Sequence, residues 1–109
     1  MHLNEYVEAA MKTQGIYENP REQTICALMG IGGESGELLD AFKKKMFHSK
    51  PIGDDELKKE VGDLLWYLAL LCDARQWDFD EIAAMNIAKL RARYPDGFSF
   101  ARANQARLA

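Results

Sequence analysis

Four carboxylates in two identically spaced pairs are the residues of this chain best suited to chemistry. Glu34 and Glu37 lie in Gly30-Ile31-Gly32-Gly33-Glu34-Ser35-Gly36-Glu37-Leu38-Leu39-Asp40, and Glu60 and Asp63 in Lys59-Glu60-Val61-Gly62-Asp63-Leu64-Leu65-Trp66-Tyr67. Residues three apart on a helix share a face, so each pair sets two like charges side by side. A basic side chain one turn away would ordinarily relieve this, and only Asp63 has one, in Lys59. If the two helices face each other across a short loop, four carboxylates surround one point. That is an oxygen-only site suited to magnesium, or to manganese in its place, with water and substrate phosphates completing the shell. Such an ion polarises a phosphoryl oxygen, acidifies a water and orients an in-line attack, and a neighbouring carboxylate can serve as base.

Three plainer readings compete. Acidic helix positions are usually solvated surface charges, but Trp66, Tyr67 and the adjoining leucines place the second pair at the border of a core. A di-iron bundle needs Glu-x-x-His on two helices, and neither His2 nor His48 has that context. A purely structural helical module explains the core and leaves the repeated acidic pairs unexplained.

The elements that must position these residues are helices. Leu3, Tyr6, Val7, Ala10 and Met11 follow helical spacing over 3–14, with Gly15 as the stop. Asn19-Pro20-Arg21-Glu22 is a start signal, with Asn as cap, Pro in the first turn and Glu at its third position. The second helix then runs to about Phe47. Glycines 30, 32, 33 and 36 within it imply a break or kink near Gly32-Gly33 and, compatibly with that, a place where a backbone or ligand comes close to the carboxylates. Pro51 and Gly53 mark a loop, and Asp54 is expected to cap a third helix whose apolar face is Leu57, Val61, Leu64, Leu65, Leu68 and Leu71. Asp78-Phe79-Asp80-Glu81 opens a fourth helix, stopped at Tyr94-Pro95-Asp96-Gly97. The tail, 98–109, reads as a short helix or an ordered arm. No convincing strand alternation, repeat or low-complexity tract is present. The expectation is an all-α antiparallel bundle of about four main helices, in one domain spanning 1–109.

Bulk properties narrow the function. The chain has 109 residues, 48% of them hydrophobic, and a net charge of -3, which argues against a general binder of nucleic-acid polymers or membranes. Helices this long with short loops would leave part of the core at a subunit interface. Cys26 and Cys72 both sit in apolar helical pattern and read as buried thiols. The N-terminus lacks the layout of a signal peptide, and the longest apolar run, Leu64 to Cys72, is too short to span a bilayer. The expectation is a soluble cytoplasmic protein.

Three ordered blocks resemble the MazG-like all-α nucleoside triphosphate pyrophosphohydrolases. They are Gly33-Glu34-Ser35-Gly36-Glu37 with Asp40 and Lys43-Lys44, then Glu60 to Tyr67, then Asn86-Ile87-Ala88-Lys89-Leu90-Arg91-Ala92-Arg93-Tyr94-Pro95-Asp96-Gly97-Phe98. The resemblance implies hydrolysis of a (deoxy)nucleoside triphosphate between its α and β phosphates, with magnesium held by Glu34, Glu37, Glu60 and Asp63. It also implies a homodimer or homotetramer with a four-helix bundle around each active site.

Other residues gain a role beside this centre. Asn86, Lys89 and Arg93 recur at intervals of three and four, so one helical face offers an amide and two cations to nucleotide and phosphates. Their plainer reading is a solvated basic helix end. Lys43 and Lys44 are candidates to neutralise pyrophosphate, although each alone reads as a surface lysine. Tyr67, one turn after Asp63, is placed to hydrogen-bond a metal-bound group or stack near the base, whereas Trp66 reads as core. The expected activity is a magnesium-dependent nucleotide pyrophosphohydrolase, clearing non-standard or surplus nucleotides. The alternative is a non-enzymatic bundle that uses its acidic metal site for assembly or regulation.

Overall fold

A computed structural model describes residues 1–47, 53–97 and 101. It contains four helices: α1 (Leu3–Met11), α2 (Pro20–Phe47), α3 (Asp54–Arg75) and α4 (Phe79–Arg93). The architecture is an all-α antiparallel bundle, with no named strand among the described residues; an isolated bridge between Pro95 and Gly97 follows α4. Of the tail expected over 98–109 only Ala101 is described, and residues 48–52 of the expected loop lie outside the described residues.

Local chemistry accounts for most of the helix ends. Asn19 Oδ1 accepts the Glu22 backbone N–H at 2.9 Å, and Glu22 Oε2 accepts the Glu18 N–H at 2.9 Å. Two donors at the start of α2 are thereby satisfied. Asp78 caps α4 by accepting the Glu81 N–H at 3.1 Å. The expectation for α3 needs correction: Gly53 is its N-cap, without a side-chain bond, and Asp54 is already helical. Asp54, Asp55 and Glu56 still place negative charge at the positive end of the helix. The first helix is shorter than its spacing suggested, ending at Met11 with a turn through Lys12 and Thr13.

The expected break at Gly32-Gly33 does not occur. α2 is continuous over 28 residues, about 42 Å at 1.5 Å per residue. The other expectation, close approach at a glycine, holds at Gly30 alone: a Cβ there would overlap the Tyr67 ring, while Gly32, Gly33 and Gly36 face open space.

Two contacts fix α2 and α3 as an antiparallel pair. Lys45 Nζ meets Asp54 Oδ1 at 3.6 Å where α2 ends and α3 begins. At the other end Gln23 Nε2 donates to Asp73 Oδ2 at 2.8 Å, and Gln14 from the α1–α2 connector joins them by accepting from Gln23 at 2.9 Å. α1 packs on α3 and carries α4, whose first turn is clasped by Asn4: its Nδ2 donates to Asp78 Oδ1 at 2.8 Å, and its Oδ1 accepts the Phe79 N–H at 3.1 Å.

The core lies where α1, α2 and α3 meet. Among the described residues it consists of Leu70 with Ala10, Ala27, Ala69, Cys72 and Ala74, whose small side chains let helix axes draw together. Leu70 is the largest fully buried side chain, and Val61 is exposed, so the buried face of α3 is rotated from the leucine series read in the sequence. Cys72 is a buried free thiol as expected; Cys26 is free and only half-buried.

Candidate metal and nucleotide site

The register of the α2–α3 pair brings the acidic pairs together. Four residues along α2 from Gly30, and four back along α3 from Tyr67, stand Glu34 and Asp63; three more in each direction stand Glu37 and Glu60. Glu34, Glu37 and Glu60 each contribute one carboxylate oxygen to a group whose members all lie within 4.8 Å of one another. Oxygens around one octahedral magnesium ion at about 2.1 Å stand about 3 to 4 Å apart. A small inward movement of side chains therefore suits the trio to one hard cation. Asp63 stands beside this trio rather than in it: it is exposed, and its charge acts on Glu34.

Electrostatics give the cluster its tension. Glu34 Oε2 and Glu60 Oε2 are shut off from solvent, and no donor among the described residues reaches either. Buried acceptors without donors are costly. Glu34 is accordingly pushed up to about 7. The first cause is removal from water; then come the charge of Glu37, hydrogen bonds to Glu37 and Glu60, and the charge of Asp63. A proton on Glu34 supplies the donor that the ionised cluster lacks, and a divalent cation would do so with more charge. The donor set and the orphaned oxygens both fit such an ion.

Beside the carboxylates is a cleft of about 380 Å³ lined by Thr13, Glu34, Asp63, Trp66 and Tyr67. Trp66, read as core in the sequence, is half-buried here and meets Tyr67 edge to face, with ring centroids 5.1 Å apart and planes at 88°. Two tyrosines outside α3 border this region. The Tyr6 phenol is raised by burial and then by the Asp63 charge. The Tyr17 phenol is raised by burial, then by Cys26 and Tyr67. Thr13 and Tyr6 come from the α1 segment, whose sequence reading concerned only its apolar spacing. No spacing signal marks Thr13, because it reaches the cleft through the packing of α1 on α3.

The other expected site residues are placed differently. Lys43 and Lys44 lie on exposed α2 beyond Glu37, and Lys44 is paired with Asp40 at 3.0 Å. Asn86, Lys89 and Arg93 lie on α4, which leans on α1, and none of them lines the cleft of its own chain. Arg93 instead stands 5.9 Å from the centre of the Tyr94 ring.

Comparison with known proteins decides the family. The profile of the MazG nucleotide pyrophosphohydrolase domain matches residues 23–98, a span that contains both acidic pairs and the aromatic wall. The chain belongs to the MazG family. It is similar to the gene 37 protein of Mycobacterium phage L5, at 29% identity over 106 residues, covering 89% of this chain and 92% of that protein. No solved structure matches it significantly. MazG domains are nucleotide pyrophosphohydrolases by description, and the matched span leaves α1, with Tyr6 and Thr13, outside the family profile. No described helix is long and apolar enough to cross a membrane.

Proposed function

We propose that this MazG chain is a magnesium-dependent hydrolase that converts (deoxy)nucleoside triphosphates to monophosphates and pyrophosphate, removing non-standard or surplus nucleotides. The observation that carries this reading is the convergence of Glu34, Glu37 and Glu60 with two solvent-shielded oxygens lacking donors. These three would hold the ion, with Asp63 as the fourth carboxylate at the cleft wall. When bound, a divalent cation supplies the charge that polarises phosphoryl oxygens and makes an attacking water more acidic. In the reaction a water oxygen bonds to a phosphorus of the α–β anhydride, the bridging P–O bond breaks, and the proton leaves to a base. The chain's own part is to hold the triphosphate in line and to offer Trp66 and Tyr67 as a wall for the nucleobase.

Assembly into a homodimer or homotetramer belongs to the same reading. The radius of gyration is 17.3 Å, against about 13 Å for a compact chain of this length. α2 shows the reason. Ala27, Gly30, Glu34, Leu38 and Ala41 are buried or half-buried on its α3 side. Ile25, Leu28, Leu39, Phe42 and Met46 form a second, exposed apolar stripe, with Leu39 at 69% exposure. The stripe keeps intervals of three and four at both ends of the helix, bridged by the small residues Gly32 and Ser35, which is the pattern of a helix–helix seam. Asn86, Lys89 and Arg93, which lie away from their own cleft, and Lys43 and Lys44 would reach phosphates only as such an assembly closes.

The test is a screen of ribo- and deoxynucleoside triphosphates with magnesium, read as pyrophosphate release. Turnover that disappears in Glu37→Gln and Asp63→Asn, with helicity intact, supports the hydrolase. Metal binding without turnover of any triphosphate overturns it.

A further inference from the structure

The aromatic wall of the cleft is tied to the end of α1 by one hydroxyl. Thr13 Oγ1 donates to the Ala10 carbonyl at 2.6 Å, and the Thr13 backbone N–H donates to the same oxygen at 3.0 Å. Ala10 is buried, so the residue is fixed at both points. With its proton committed to Ala10, the hydroxyl presents lone pairs, and Trp66 Nε1 donates to it at 2.9 Å. An indole N–H can only donate, so this arrangement sets both the direction of the bond and the orientation of the ring. Trp66 in turn meets Tyr67 edge to face, and Tyr67 rests on the bare backbone of Gly30. A continuous series of contacts thus runs from the last turn of α1 to the wall beside Glu34 and Asp63.

We propose that Thr13 is a positioning residue for the nucleotide site, holding Trp66 and through it Tyr67 in the orientation that receives the nucleobase. This rests on the hydrolase reading above. The base lies away from the reacting phosphates, and a preset wall contributes binding equally before and during the reaction. Losing the Thr13 bond therefore weakens substrate binding and leaves the chemical step alone.

The experiment uses the full chain, with kinetics for the best triphosphate and near-UV circular dichroism in a Trp77→Phe background, where Trp66 is the sole indole. Thr13→Val raises KM about 3- to 10-fold, the worth of one hydrogen bond, with kcat within about twofold. Its Trp66 dichroism weakens, and Thr13→Ser restores both readouts. Trp66→Phe, which removes the donor without touching α1, raises KM in the same way, and adding Thr13→Val to it costs nothing more. Should Thr13→Val fail to fold, Thr13→Ala, which removes the acceptor without placing a methyl at its position, decides by the same two readouts. An unchanged KM, a fall in kcat matching the rise in KM, or additive penalties in the double variant overturns the role of Thr13. Absence of turnover by the unmodified chain overturns the hydrolase reading instead, and this role with it.

Discussion

Tyr67 rests against the backbone of Gly30 so closely that a Cβ on that glycine would occupy the ring. The contact sets the register of α2 on α3, and the same register brings Glu34 opposite Asp63 and Glu37 opposite Glu60. One glycine thereby connects the packing of the hairpin to the placement of its carboxylates.

Gly30→Ala is therefore expected to lower the melting temperature. The methyl gains up to about 1 kcal/mol of helix propensity, but overpacking against a ring typically costs about 1–3 kcal/mol. Gly33→Ala, which meets open space, gains the propensity without the clash and raises the melting temperature. Thermal unfolding of both variants checks this. In a Tyr67→Ala background the clash is gone, and Gly30→Ala becomes stabilising.

Much of the architecture was legible because helix periodicity and caps are local. Asn19 and Asp78 cap as their sequence contexts indicate, and the spacing of Glu34 with Glu37 and of Glu60 with Asp63 implied a shared face. What escaped is tertiary. The expected kink at Gly32-Gly33 is absent because α2 keeps its packing along α3. The buried face of α3 centres on Leu70 because alanines on three helices meet there. Thr13 became a cleft residue only through α1 docking, and the offset of exposed Asp63 from the carboxylate trio is not encoded in the spacing.

Asp78 joins two elements through one carboxylate. It caps α4 and accepts from Asn4, and these hydrogen bonds, that of Asn4 first, hold its carboxyl below the ordinary value. A depressed value in the folded chain means stabilisation that is present above the unfolded value and lost as pH falls through the folded one. Asp78→Ala is expected to lower the melting temperature at neutral pH, and the gap to the unmodified chain should narrow on acidification below about 4. Amide exchange should localise the loss to the first turn of α4 and the start of α1.

The exposed stripe on α2 predicts association. Leu39→Glu or Phe42→Glu puts a charge into a seam that a second subunit would desolvate, so sedimentation velocity should show a smaller species at micromolar concentration. Glu34 and Glu37 lie towards α3, away from this stripe, and Glu60 stands on α3 itself. Retention of the unmodified mass by both variants would exclude this stripe as the interface.

Acidity and metal should act on one equilibrium at Glu34. Its value in the folded chain, about 7, lies above the ordinary 4.5, so between those limits the folded state binds more protons than the unfolded one. Stability without metal then falls as pH rises through that window and levels off above it, where the cluster is fully ionised and its repulsion uncompensated. A divalent cation binds the ionised form, so its stabilising effect grows as pH rises. Melting curves from pH 5 to 8 at fixed ionic strength should fall in chelator and flatten in saturating magnesium. Glu34→Gln, uncharged throughout, should lose most of the fall in chelator and most of the response to magnesium. Curves in chelator that rise with pH across this window would show that Glu34 does not hold its proton in the folded chain.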